Sequence, residues 1–188
     1  MTLKESLKLF STVFSRQEIN MGTLNYNDIL VDSNESIEQV YELLSFNQAL
    51  TIGGEMFITI KADLAKAQEG WYLIKNKQGE WEKNDASWNK DWIVFADRSG
   101  DAIFYDKESK TIKGTINGKI FFPLSPSLAT FFQVLSECMI LEEEKYDFIT
   151  RDEEEDELLP DYLDDISSVL ERNLDEDYQQ GYMQFFFG

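Results

Sequence analysis

The residues able to do chemistry in this chain are almost all carboxylates. Its 188 residues hold 36 Asp and Glu against 17 Lys and Arg, no histidine, and one cysteine, Cys138. Without histidine there is no Ser-His-Asp or Cys-His nucleophile and no imidazole metal ligand. One thiol can build neither a zinc cage nor an internal disulfide, which fits a reducing compartment. Carboxylate chemistry, lysine chemistry or binding remains.

The carboxylates are not arranged as a catalyst needs them. Glycosidase-type catalysis requires two acids held apart in a cleft with separated pKa values. Here the acids come in runs, Glu142-Glu143-Glu144 and Asp152-Glu153-Glu154-Glu155-Asp156-Glu157, which read as solvated surface. Nothing singles out Lys61 or Lys66 as a buried amine. Asp97-Arg98-Ser99-Gly100-Asp101 lacks the Asp/Asn ladder and distal Glu of a calcium loop. Gly53-Gly54 is not followed by the Gly-Lys-Ser/Thr of a phosphate loop. The expectation is a non-catalytic protein with no catalytic residue, no cofactor and no metal.

Charge points to a class of partner. The net charge is -19, and residues 137–188 hold 18 acidic against 3 basic residues. That field repels nucleic acid and anionic membranes and favours a cationic protein. Solubility alone is the competing explanation. Tyr146, Phe148 and Tyr162 stand among the acids, and aromatic anchors supply much of the lasting energy of interfaces. The candidate partner surface is therefore Glu142, Glu143, Glu144, Tyr146, Phe148, Asp152, Glu153, Glu154, Glu155, Asp156, Asp161, Tyr162 and Asp165. A solvated helical face with its aromatics turned inward is the alternative.

The elements that must position these residues can be read from local patterns. Thr2-Leu3-Lys4-Glu5 is a capping box, and Leu3, Leu7, Phe10 and Phe14 follow at helical spacing to about Arg16. Residues 18–32 show no period. A second helix starts near Ser33, with Ile37, Val40, Tyr41 and Leu44 on one face. Met56 to Ile60 is a short strand after a Gly53-Gly54 turn. A third helix is expected from Asp63 to about Tyr72. Tyr72–Lys75 and Glu80–Lys83 pair around Asn76-Lys77-Gln78-Gly79. Trp92 to Ala96 is continuously apolar, as in a strand buried on both faces. Strands follow at Asp101–Tyr105, Thr111–Thr115 and Lys119–Pro123, the last two joined by Asn117-Gly118, a strong hairpin signal. Ser125-Pro126 reads as a helix start, and Leu128, Phe131, Phe132 and Leu135 give that helix its buried face. Pro160 opens a last helix, and the apolar tail Tyr182–Phe187 is expected to pack on the core.

One domain is expected, with N-terminal helices and a first strand in 1–60, a sheet core in 61–136 and an acidic helical extension in 137–188. No stretch approaches the ~20 apolar residues needed to span a bilayer. The opening residues show no signal-peptide pattern, so a cytoplasmic location is expected. The oligomeric state, monomer or weak dimer, stays open.

Five segments together resemble the SUKH superfamily in its SMI/KNR-like branch. They are Leu64–Trp71, Trp88–Ala96, Gly100–Asp106, Thr111–Thr115 with Asn117-Gly118, and Leu128–Leu135. The Trp88-x3-Trp92 hydrophobic run, followed by Gly100-Asp101 and a strand ending at Asp106, is the most specific part. The resemblance covers a little under half the chain. It implies an α+β fold, a central mixed, largely antiparallel sheet with helices packed against it. It also implies an immunity protein that binds and neutralises a toxin; the charge of the chain adds the expectation that the toxin is cationic, of nuclease type. A regulatory scaffold with a housekeeping partner is the other function the resemblance allows. Trp71, Trp88, Trp92, Gly100, Asp101 and Asp106 are the signature positions. Their own chemistry is structural: Gly100 frees the backbone where two strands meet, the aspartates accept from turn amides, and Trp88 and Trp92 clamp a sheet edge.

Overall fold

Thr2 begins the first helix as its sequence dictates. Its side chain accepts from the Glu5 N–H, and the Glu5 carboxylate accepts from the Thr2 N–H at 2.8 Å. A computed structural model describes residues 1–31, 34–152, 154 and 157–188. The elements in chain order are α1 (Leu3–Arg16), β1 (Asn25–Tyr26), α2 (Ile37–Leu43), β2 (Leu44–Ser45), β3 (Leu50–Ile52) and β4 (Met56–Ile58). Two short 3-10 turns follow at Lys61–Asp63 and Lys66–Gln68. Then come β5 (Leu73–Lys75), β6 (Trp81–Lys83), β7 (Trp92–Arg98), β8 (Asp101–Asp106), β9 (Thr111–Ile116), β10 (Ile120–Ser125), α3 (Leu128–Glu144), α4 (Pro160–Asn173) and α5 (Glu176–Phe187).

The architecture is α+β. A six-stranded sheet runs in the order β10-β9-β8-β7-β4-β3, and every pairing between its strands is antiparallel. β1 with β2 and β5 with β6 form two-stranded antiparallel ribbons. Tight turns set the register of the large sheet. Asn117 and Gly118 both take positive φ, 53° and 66°, as a two-residue hairpin requires.

The sheet has two covered faces. One carries Phe95, Ala96, Ile103, Tyr105, Ile112 and Leu124 into the main core with α1 and α3. The other carries Val94, Ala102 and Phe104 beneath Trp88, with Trp71, Tyr72 and Trp92 packed around them. Trp88 and Trp92 meet edge-on at 5.2 Å between ring centroids, and Trp92 lies 4.8 Å from Phe104. These tryptophans roof the centre of one face; they do not clamp an edge, because β7 lies inside the strand order.

Three expectations need correction. The segment from Asp63 to Tyr72 forms two 3-10 turns instead of a helix. Its anchor is a side chain: the Gln68 amide donates to the Val94 carbonyl at 2.9 Å and accepts from the Val94 N–H at 3.1 Å, and Gly70 then turns the chain at φ 88°. Gln68 thereby stands in for a neighbouring strand. The second correction concerns α3. Ser127, not Ser125, is its N-cap, accepting from Thr130 N–H at 3.0 Å. Pro126 disfavours helical backbone at the residue before it, so Ser125 stays in β10. The third is α2, which starts at Ile37 with Ser36 as its cap; Ser33 lies outside the described residues.

The C-terminal tail is helical and docks on β10 and β9. Phe185 and Phe186 are buried, each worth about 2 kcal/mol relative to exposure. Two glycines allow the approach. A Cβ on Gly181 would stand 2.1 Å from the Pro123 carbonyl oxygen, and one on Gly114 would stand 2.7 Å from the Phe185 ring. No helix among the described residues is long and apolar enough to cross a membrane.

Candidate functional site

The C-terminal extension divides its acids into those that hold the fold and those that face outward. Glu143 and Glu144 both bind Arg16 of α1, at 2.7 and 3.2 Å. Gln17 adds a donor to Glu143 at 3.0 Å. Asp165 accepts from the Lys145 ammonium and the Tyr146 phenol. Three members of the expected partner surface are therefore internal ties between helices.

Tyr162 is corrected more sharply. Its ring is 2% exposed in the core, so it is no anchor for a partner. The spacing explains this: Tyr162, Ile166, Val169 and Leu170 form the buried stripe of α4. The Tyr146 ring is half-buried and stands edge-on to Tyr162 at 5.2 Å. Asp152, Glu154 and Asp161 are exposed. Glu153, Glu155 and Asp156 lie outside the described residues.

Opposite the buried stripe, α4 presents Asp161, Asp164 and Glu171, all exposed and without an ion-pair partner among the described residues. Asp175, Glu176 and Asp177, at the start of α5, are exposed as well. Arg172, next to Glu171 in the chain, reaches Glu137 at 3.7 Å. Of these acids only Asp161 belongs to the surface expected from the sequence. The complement of the apolar stripe, at i, i+3 and i+4 steps, was the signal that marks the rest.

Glu142 and Phe148 line a cavity of about 210 Å³. It lies where the β3–β4 turn, the end of β7, α3, Phe148 to Arg151, Leu158, α4 and α5 meet. Ile52, Met56, Leu135, Met139 and Phe186 make its walls apolar, while Ile19, Gly53, Glu55 and Arg151 are exposed at its rim. The Tyr162 phenol donates to Glu142 Oε1 at 2.5 Å. Burial is the main cause holding the Glu142 carboxyl above the usual carboxylate range; the phenol opposes it and the charge of Glu55 adds to it. Arg98 is committed to Glu55 at 2.9 Å and to the Phe185 carbonyl at 3.3 Å.

Cys138 also lines this cavity. Burial pushes its thiol well up, with Glu142 and Glu137 adding, so it stays protonated and is a poor nucleophile. Phe148 is held over the cavity by unusual backbone. Asp147 and Phe148 both take positive φ, 48° and 62°, and the Phe148 N–H turns back to the Glu142 carbonyl at 2.9 Å. Left-handed conformations cost a non-glycine residue roughly 1–2 kcal/mol each.

A second cavity of about 270 Å³ has Ile37, Leu64, Tyr72, Lys61, Lys90 and Trp92 in its lining. The buried Trp92 indole N–H has no hydrogen-bond partner among the described residues.

The signature positions do structural work. Gly100 takes φ 92° in the β7–β8 turn. Asp101 accepts from the Asn117 N–H at 3.2 Å. Asp106 accepts from the Glu108 and Ser109 N–H groups and from Lys113 at 2.8 Å. Burial raises the Asp106 pKa, but Lys113 and Ser109 outweigh it and hold the carboxyl at about 2. Lys113 in turn sits over the Trp92 ring at 5.5 Å.

Among the described residues, no group of three or more Cys, Asp and Glu side chains is placed to hold a metal ion. Comparisons with protein-family models, with curated proteins and with solved structures find no match to this chain. The SUKH resemblance therefore rests on the residues that carry it.

Proposed function

We propose that this chain is a non-catalytic binding protein of the SUKH type, which neutralises a cationic toxin domain by covering it with the acidic face of α4 and α5. The observation that carries the reading is the separation of roles among the acids. Glu143, Glu144 and Asp165 are spent on internal ion pairs, whereas Asp161, Asp164 and Glu171 stand exposed and unpaired among the described residues. An unpaired stripe of one sign on a helix repels itself. A basic partner relieves that repulsion and is steered in by the same field, at rates reaching about 10⁸–10⁹ M⁻¹s⁻¹ at low salt. Enzymes that cleave nucleic acid are basic where they hold it, so a nuclease-type toxin fits the charge.

The test is growth rescue. The chain is co-expressed with a cationic nuclease-type toxin domain, chosen from beside its gene if one is encoded there, as wild type and as Asp161→Lys/Asp164→Lys/Glu171→Lys. Rescue by the wild type and loss of rescue in the folded triple variant support the reading. Rescue that survives the triple reversal overturns the acidic-face interface. No rescue, with binding to a housekeeping protein instead, favours the scaffold role.

A further inference from the structure

The cavity at Glu142 is built for an occupant with two chemically different ends. Its interior is walled by Ile52, Met56, Leu135 and Met139, and a carboxyl stands in it. A buried carboxylate is expensive unless a cation or several donors meet it. Glu142 has one donor, Tyr162, and among the described residues no cation pairs with it. Two arginines also line the space: Arg98 is held by Glu55 and the Phe185 carbonyl, and Arg151 stands exposed at the rim. Glu55 is met by Arg98, so Glu142 is the acid in this space that favours a positive visitor.

We propose that the cavity receives one lysine or arginine side chain of the protein partner, its methylene stem against Met56 and Met139 and its cationic head on Glu142, with Glu55 at the mouth. This rests on the reading of the partner as cationic and deepens it by naming the contact that gives the complex its residence time. The volume, about 210 Å³, equals roughly seven waters, the scale of one long side chain and too small for a folded segment. The acidic face of α4 supplies steering, which is long-ranged and weakened by salt; the cavity supplies a desolvated charge pair, which is not. Phe148, held in place by two left-handed residues, closes over the stem.

The test needs no partner. Five methionines are present, and two of them, Met56 and Met139, line the cavity while Met21 and Met183 do not. The intact chain carrying ¹³C-methyl methionine is titrated with n-butylguanidinium chloride, with n-butanol as the uncharged control. The expected result is a saturable shift of the Met56 and Met139 methyls alone, weaker by at least about fivefold with n-butanol. Glu142→Gln keeps the side-chain shape and is expected to weaken the guanidinium titration to the level of the alcohol. Glu108→Gln, an exposed acid on the β8–β9 turn, leaves it unchanged. The unliganded methyl spectrum of Glu142→Gln verifies that the cavity is intact; if that variant is perturbed, Glu55→Gln with Arg98→Gln replaces it, and guanidinium binding must persist through Glu142. Absence of any shift at Met56 and Met139, or equal titrations in wild type and Glu142→Gln, overturns the proposal. Because the probe is a small cation, its failure condemns the cavity and leaves the acidic face of α4 to be judged by growth rescue.

Discussion

The Tyr162 phenol donates to Glu142 Oε1 across 2.5 Å, joining the last turns of α3 to the first turn of α4 at the wall of a cavity. This bond explains why a tyrosine amid acidic sequence is buried: its ring belongs to the core and its hydroxyl to the carboxyl. It also places a carboxyl in the cavity wall where no ion pair to it is formed among the described residues.

The first prediction follows from that placement. Burial raises the folded-state pKa of Glu142 above its unfolded value. Such a group favours the folded state fully below the unfolded pKa, and that contribution is lost as pH rises through the folded pKa. Wild-type stability therefore falls as pH rises from about 4.5 toward neutrality, in the share owed to Glu142. Glu142→Gln retains an acceptor for Tyr162 and removes the titration. Thermal midpoints of both proteins across this range will converge at low pH, with the variant higher at pH 7.

Asp106 behaves in the opposite sense. Its folded pKa of about 2 lies below the ordinary 3.8, so its stabilisation is present above pH 4 and lost as pH falls toward 2. The difference corresponds to about 2 kcal/mol at neutral pH. Asp106→Asn will cost about that much in urea unfolding at pH 7 and little at pH 2.

Two glycines separate packing from backbone effects. At Gly181 a methyl meets the Pro123 carbonyl oxygen at 2.1 Å, so Gly181→Ala must push α5 off β10, at a cost of about 2–3 kcal/mol. At Gly100 a methyl meets nothing within 4 Å, but φ is 92°. Gly100→Ala will cost only the strain of the left-handed region, about 1–2 kcal/mol. Both are measurable as shifts of the urea midpoint. Near-UV circular dichroism will change only for Gly181→Ala.

Local signals were legible because they act over a few residues. The Thr2 capping box, the Asn117-Gly118 turn and the doubly buried run Trp92–Ala96 each depend on neighbours in sequence, and each is where its pattern puts it. Ser125 and Ser127 differ only in which of them precedes the proline, and the proline decides. The 63–72 segment departs from its helical pattern because its stabilisation is non-local: Gln68 satisfies Val94, 26 residues away. The cavity was illegible for the same reason. Its wall comes from the β3–β4 turn, α3, α4 and α5, and no spacing rule brings Met56, Glu142 and Phe186 together. Glu143 and Glu144 looked like partner-binding acids because Arg16, their partner, is 127 and 128 residues away.

The exposed acids of α4 should matter to a partner and not to the fold. Surface substitutions without partners change stability by no more than about 0.5 kcal/mol. Asp161→Lys, Asp164→Lys and Glu171→Lys will each leave the urea midpoint nearly unchanged, whereas Arg16→Ala, which releases Glu143 and Glu144, will lower it.

The central claim is that the outward acids of α4 and α5 bind a cationic protein. Its most direct measure is the dissociation constant of the complex with a cationic nuclease-type toxin domain, at low and high salt, for wild type and for Asp161→Lys/Asp164→Lys/Glu171→Lys. The account predicts tight wild-type binding that weakens with salt, and a loss on the order of 100-fold in the triple variant with a flattened salt dependence. Equal affinities and equal salt slopes for the two proteins would contradict it.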